Sequence, residues 1–178
     1  MISHESNQSD REHSARVRAM FAGVAQRYDF LNHLLSGNTD KRWRRLVAQK
    51  LEHELSRDGA RVLDVACGTG DLALTLAGSS SAHVVGTDFC RPMLEIAKRK
   101  ATSTGSSVVP FVEGDALNLP FNNSSFDAVT IAFGLRNLAN VEDGLRELLR
   151  VLKPNGRAAI LESIPASQPL LCVARSIF

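Results

Sequence analysis

The feature that most constrains this chain is a short apolar run, Arg61-Val62-Leu63-Asp64-Val65, that passes through Ala66-Cys67 into Gly68-Thr69-Gly70 and then into a helical pattern opening at Asp71. A strand joined to a helix by a glycine-rich turn is the first half of a βαβ unit, and a parallel strand must follow the crossover. The chain supplies it. A helix is expected over 71–77 with Gly78 as its stop, then a second strand over 83–87 ending at Asp88. Pro92 suits the first turn of another helix carrying Met93, Leu94, Ile96 and Ala97, with Lys98, Arg99 and Lys100 in its later turns. Further strands are read over 108–112 and 126–133. A helix over 142–152 turns Leu145, Leu148, Leu149 and Leu152 inward, stops at Lys153-Pro154-Asn155-Gly156, and leads to a fifth strand over 157–161. This alternation predicts an α/β fold, a mostly parallel sheet with helices on both faces.

Ahead of Gly59 the pattern is helical throughout. Residues 1–14 are polar and read as a flexible N-terminus. Val17, Met20, Phe21, Val24, Tyr28, Leu31 and Leu35 then recur at three- and four-residue steps, until Ser36-Gly37-Asn38 breaks the pattern. A second stretch from Thr39 carries Trp43, Leu46, Val47, Leu51 and Leu55 on one face and closes at Asp58-Gly59. The chain is thus divided into 1–14, a two-helix N-terminal region over 15–58, and a Rossmann-like part over 59–178.

Composition removes several function classes. Lys and Arg number 21 against 19 Asp and Glu, a net charge of +2, so no nucleic-acid partner is expected. No apolar run approaches the ~20 residues of a membrane span, and the start lacks a basic segment followed by an apolar one. The three cysteines, Cys67, Cys90 and Cys172, have no C-x-x-C spacing. Neither a disulfide framework nor a metal site is expected, and a reducing, cytoplasmic setting fits.

The chemistry concentrates around the glycine loop. Gly68-x-Gly70-x-x-Ala73 satisfies a loose dinucleotide fingerprint, but a pyrophosphate is repelled by carboxylates and this loop is flanked by Asp64 and Asp71. Two acids there suit a ligand with positive charge, such as the sulfonium and ammonium of S-adenosylmethionine. Asp88 lies 18 residues after Gly70, near the spacing at which a strand-end acid accepts hydrogen bonds from ribose hydroxyls. A helix cap is its plainer role. Asp115, in Gly114-Asp115-Ala116, is read either as an acceptor for an adenine amino group or as a turn former.

Taken in order, residues 62–70, Asp88, Gly114-Asp115-Ala116, Phe126-Asp127 and Leu152-Lys153-Pro154-Asn155-Gly156 resemble the class I S-adenosylmethionine-dependent methyltransferases. Tyr28-Asp29-Phe30-Leu31-Asn32, Ile131-Ala132-Phe133-Gly134-Leu135-Arg136-Asn137 and Arg150-Val151-Leu152-Lys153-Pro154 narrow the resemblance to the demethylmenaquinone and 2-polyprenyl-6-methoxy-benzoquinol C-methyltransferases of quinone biosynthesis. It covers residues 17–165, and its most specific piece is Phe-Gly-Leu-Arg-Asn.

The resemblance implies S-adenosylmethionine as cofactor, held by Asp64, Gly68, Thr69, Gly70, Asp88, Asp115, Ala116 and Ala132, the last at a position where the family usually has Ser. Cys67 likewise stands where Gly is common, which a negative φ tolerates. The acceptor implied is a polyprenyl quinol, with Arg136, Tyr28 and Asn137 near its oxygen. An Arg is a durable partner for a phenolate and a poor base, because its pKa lies above ~12. Against these roles stand a surface ion pair for Arg136 and a half-buried core aromatic for Tyr28; His33 is read as a structural residue or a proton relay. Lys41-Arg42-Trp43-Arg44-Arg45 is a solvated helix face or a contact with anionic lipid headgroups at the inner membrane face. Homo-oligomerisation is left open. The class I sheet ends in an antiparallel pair, whereas five strands are read here, so the chain reads as C-terminally truncated with its last strands missing. A methyltransferase for another small molecule, or a cofactor-binding fragment without activity, are the competing readings.

Overall fold

A computed structural model describes residues 12, 14–26, 28, 39–105, 109–163 and 169–175. Its centre is β1 (Arg61–Val65), four of whose five residues are buried. β1 has a parallel neighbour on each side, β2 (His83–Asp88) and β4 (Phe126–Ala132). β3 (Phe111–Glu113) pairs with β2, and β5 (Leu152–Ser163) with β4, both parallel. β6 (Pro169–Arg175) then lies antiparallel on β5, giving the order β3-β2-β1-β4-β5-β6.

Period-two alternation divides the sheet between two cores. Val62, Val84, Ala128 and Ala159 face one side, packed by α2 (Thr39–Lys50), α3 (Glu52–Leu55), α4 (Asp71–Gly78) and α5 (Arg91–Ser103). Leu63, Val65, Val129 and Ile131 face the other, packed by Leu148 and Val151 of α6 (Val141–Val151) and by the loop residues Ala116 and Leu119. Helices therefore cover both faces, as expected. α1 (residues 14–26) turns Phe21, Ala25 and, just beyond it, Tyr28 toward Cys90 and Met93.

Several details differ from the sequence reading. Among the described residues there are six strands, not five. β6 contributes Leu171 and Val173 to the first core, and its pairing runs from Arg157↔Arg175 to Ser163↔Pro169. β5 begins at Leu152, so Lys153-Pro154-Asn155-Gly156 lies within the strand, with Asn155 at φ 63° and a register shift opposite Phe126. β3 is shorter and begins at Phe111. Gly78 is the last residue of α4 with Ser79 as its cap, so it is not a left-handed stop. In α6 the buried stripe is Gly144, Leu148 and Val151; Leu149, one position round the helix, is 55% exposed. Leu46 is likewise 39% exposed beside buried Val47 and Leu51. Asn140 caps α6 by accepting the Asp143 N–H at 3.1 Å. The Ser36-Gly37-Asn38 break, His33, Val108 and most of residues 1–14 lie outside the described residues.

Candidate functional site

In an open parallel sheet, crossovers that leave in opposite directions from two adjacent strands part at their carboxyl ends and leave a crevice. Here that reversal falls between β1 and β4. An open cleft lies where this rule puts it. Its floor is Ala66 and Gly68 after β1, Asp88 and Phe89 at the end of β2, and Ala132, Phe133 and Gly134 after β4. Gly114, Asp115, Ala116 and Leu117 form one wall, Asn137 and Leu138 another, and Ser14, Phe21 and Tyr28 close the cleft from the N-terminal helix.

The backbone at the floor is bent. Ala66 has φ 51° and Phe133 φ 57°, both in the left-handed region that costs a non-glycine residue about 1–2 kcal/mol. Gly68 follows at φ 54°, and a Cβ built there meets no atom within 4 Å, so its open side faces the cleft. Its N–H donates to Asp88 Oδ2 at 2.8 Å, while Asp88 Oδ1 accepts the Cys90 N–H, also at 2.8 Å. One carboxylate thus ties the glycine loop to the start of α5. Burial pushes the Asp88 carboxyl above its ordinary pKa, and these backbone donors pull it partly back. Asp88 lines the cleft but does not cap α5, whose N-cap is Cys90 without a side-chain cap bond; its carboxylate accepts the N–H of that N-cap residue. Cys67 is absent from the positive-φ residues, which meets the condition for a side chain at that position.

The other sequence-assigned residues divide into two groups. Asp115, Ala116 and Ala132 line the cleft with Gly68 and Asp88, and Asp115 Oδ1 also accepts the Leu117 N–H at 2.9 Å. Asp64, Thr69 and Gly70 do not line it. Gly70 sits at φ 82° where a Cβ would stand 2.8 Å from Phe111 and 2.9 Å from Ala97; it permits close packing of the loop on β3 and α5. Thr69 is buried and its hydroxyl accepts from Lys100 Nζ at 3.0 Å. The same Lys100 ammonium holds Asp71 at 2.6 Å, and Arg44 reaches Asp71 at 3.4 Å and Asp40 at 2.5 Å. Asp71 therefore serves a network joining α2, α4 and α5 and is turned away from the cleft, and it makes no side-chain cap of α4.

Asp64 lies beneath the floor. Strand register sets it opposite Thr130 of β4, whose hydroxyl donates to Oδ1 at 2.7 Å. Its Oδ2 is buried without a hydrogen-bond partner. Burial raises its pKa from 3.8 to about 7, against smaller downward pulls from Thr130 and the Ala73 backbone.

Of the three residues assigned to the acceptor, Tyr28 and Asn137 line the cleft and Arg136 does not. Tyr28 packs edge-to-face on Phe21 at 5.8 Å, and Asn137 Nδ2 donates to the Phe133 carbonyl at 3.3 Å. Arg136 lies in a one-turn 3-10 helix (Leu135–Asn137) and forms an ion pair with Glu162 at the end of β5, so the surface ion pair weighed for it is present. The sequence reading gave no role to Ala66, Phe89, Met93, Leu117, Phe133 or Leu138, which make the cleft's apolar lining. Apolar side chains carry no chemical signature, and only the strand-end positions of Phe89 and Phe133 could have pointed to them. Among the described residues no cluster of His, Cys, Asp or Glu could hold a metal, and no helix is long and apolar enough to cross a membrane.

Comparison with known proteins gives concordant matches. The model of the ubiE/COQ5 methyltransferase family matches residues 9–178. A demethylmenaquinone methyltransferase of Thermus thermophilus is 53% identical over 147 residues, 82% of this chain and 65% of that protein. A ubiquinone/menaquinone biosynthesis C-methyltransferase of Geotalea uraniireducens is 40% identical over 170 residues, 94% and 70% of the two chains. This chain thus spans somewhat less than two thirds to about 70% of the length of such relatives. Among solved structures, an S-adenosylmethionine-dependent methyltransferase from Aquifex aeolicus is 26% identical with a TM-score of 0.59, covering 68% of each chain. A structure from Methanococcus maripaludis, 22% identical with a TM-score of 0.68 over 78% of this chain and 62% of its own, shares the fold.

Proposed function

The chain belongs to the ubiE/COQ5 methyltransferase family, and from that premise we propose that it binds S-adenosylmethionine in the cleft above β1, β2 and β4 and acts in C-methylation of a polyprenylated quinol. The observation that carries the reading is the cleft itself. It combines an exposed glycine backbone at Gly68, carboxylates at Asp88 and Asp115, and an apolar wall of Phe89, Met93 and Leu117. A ribose, an adenine edge and a flat ring need those three surfaces in that proximity. The residues fit the cofactor. Asp88 and Asp115 would accept from its hydroxyl and amino groups, and Gly68 and Ala132 would approach with backbone, while Asp64, its carboxyl pushed up to about 7 by burial, lies beneath the floor. When bound, S-adenosylmethionine supplies an electrophilic methyl group.

The remaining work falls to the chain. A quinol carbon becomes nucleophilic when its phenolic oxygen loses a proton, so the protein must stabilise a phenolate and aim it. Arg136, next to cleft-lining Asn137, supplies the fixed positive charge; Asn137 and Tyr28 orient the oxygen by hydrogen bonds. Preorganised positioning and charge stabilisation of this kind account for most of the expected acceleration. The N-terminal helix carrying Phe21 and Tyr28 acts as a cap that keeps water from the reacting centre. Exposed Lys41, Arg42 and Arg45, with exposed Leu46 beside them in sequence, meet the anionic membrane surface in which such an acceptor resides.

The test has two arms. Calorimetry should show S-adenosylmethionine binding, and methyl-labelled cofactor should transfer label to demethylmenaquinol or to the benzoquinol substrate. No binding would overturn the reading. Binding without label transfer to either quinol would leave a cofactor-binding module, and transfer to a different small molecule would reassign the acceptor.

A further inference from the structure

We infer that Glu162, at the carboxyl end of β5, is a positioning residue for the acceptor side of the cleft, acting through Arg136. The inference rests on the quinol reading above and adds a residue to it. The 3-10 turn Leu135–Asn137 has no fully buried residue and no side-chain cap, and Leu135 packs only partly buried against the second core. The end of β5 holds its other side. The Phe133 N–H donates to the Leu161 carbonyl at 2.7 Å, which carries the β4–β5 ladder one residue past β4. The next residue of β5, Glu162, then grips Arg136 twice. Its carboxylate accepts the Arg136 backbone N–H at 3.3 Å and pairs with the Arg136 guanidinium.

This carboxylate is 18% exposed, whereas the Arg136 side chain is 52% exposed. The acid is therefore the anchored partner and the arginine the one that reaches outward. An exposed Arg samples many rotamers, and holding both its backbone and its head restricts them. Asn137, the next residue, lines the cleft, so a shift of the turn displaces the acceptor's hydrogen-bonding group together with its charge partner. Glu162 itself is not among the cleft-lining residues and touches neither ligand.

The experiment compares wild type, Glu162→Ala, Glu162→Gln, Arg136→Ala and the double variant Glu162→Ala/Arg136→Ala. Glu162→Ala should lower kcat for the quinol by about 10- to 100-fold, the scale set by small misplacement of a catalytic group, with the Kd for S-adenosylmethionine unchanged. Glu162→Gln, whose carbonyl still accepts a hydrogen bond, should recover part of that loss. In the Arg136→Ala background, Glu162→Ala should cost clearly less than in the wild type, because the ion pair is already gone and only the hold on the backbone N–H of residue 136 remains to be lost. A second arm needs no turnover. Binding of 4-nitrophenolate, at a pH where it is ionised and with S-adenosylhomocysteine present, should weaken in Glu162→Ala, and by a smaller factor when the same change is made in Arg136→Ala. A loss of equal size in both backgrounds would make Glu162 a plain structural residue and overturn the inference, as would a Glu162→Ala protein with wild-type kcat and nitrophenolate affinity. A wild-type chain that neither turns over quinol nor binds the phenolate would overturn the quinol reading itself, and this inference with it.

Discussion

Asp64 offers the sharpest test of how the floor of the cleft is built. Its pKa of about 7 in the folded chain, against 3.8 unperturbed, comes from complete burial. The folded state therefore holds the proton more tightly than the unfolded one. The stability associated with this group is full below pH 3.8, declines as pH rises, and is lost once pH passes 7. Integrating the two titrations gives a loss of about 2 kcal/mol by pH 5 and about 4 kcal/mol by pH 8, hence about 3 kcal/mol between them. Asp64→Asn removes the ionisation. Its carbonyl still accepts from Thr130, and its amide takes the place of Oδ2, which has no partner. That unpaired donor costs about 1–3 kcal/mol, but equally at both pH values. The variant-minus-wild-type difference should therefore grow by about 3 kcal/mol from pH 5 to pH 8, whatever the amide costs. Urea unfolding of both proteins, without added ligand, measures it. Thermal midpoints should show the same divergence at about 5–10 °C. A difference that stays constant across this range would refute the argument that burial holds Asp64 neutral.

Asp88→Ala removes the proposed ligand acceptor and the tie between Gly68 and Cys90 together, and should weaken S-adenosylmethionine binding by roughly 1.5–3 kcal/mol in calorimetry; an unchanged Kd would remove Asp88 from the site. Arg136→Ala should cut quinol turnover by about 100-fold or more with cofactor affinity nearly intact, and Arg136→Lys should restore only part, since an ammonium lacks the planar fork. Failure of a folded Arg136→Ala protein to bind cofactor would show that the role is wrong. Gly134→Ala sets a Cβ 2.6 Å from that of Ala66 and should cost about 1–3 kcal/mol in urea unfolding; wild-type stability would show that the floor yields.

What the sequence made legible follows from the range of the interactions involved. β1, the glycine loop and α4 are contiguous, so their periodicity and turn residues appear in one stretch of chain. Asp88 ends β2 and Asp115 lies two residues past β3, so both were legible as cleft-lining residues because strand ends converge in a parallel sheet, whereas Ala132, at the end of β4, came from the family resemblance. β6 was not legible. Pro169-Leu170-Leu171-Cys172-Val173-Ala174-Arg175 has no polar–apolar alternation and opens on a proline, and its strand character comes from pairing with β5. Asp71 looked like a ligand group because it flanks the loop; Lys100, 29 residues on, and Arg44, on the helix before the sheet, turn it outward. The Asp64–Thr130 and Arg136–Glu162 contacts are likewise products of β4–β1 and β5 register, which no local pattern encodes.

The two left-handed residues at the ends of β1 and β4 also predict how this corner can drift in sequence. At most positions in a sheet-to-loop junction glycine is the disruptive replacement, because it loosens a backbone that other residues accept. At Ala66 and Phe133 that ordering is inverted for the backbone: glycine releases the φ penalty, while a β-branched residue at φ near 50° is a severe change. Gly134 completes the corner from the opposite side, since the side chain of Ala66 occupies the space its own would need. Size at 66 and size at 134 therefore trade against each other. A chain of this family that carries a larger residue at 134 should be found with glycine at 66, and a survey of natural or selected variants would show the two positions changing together.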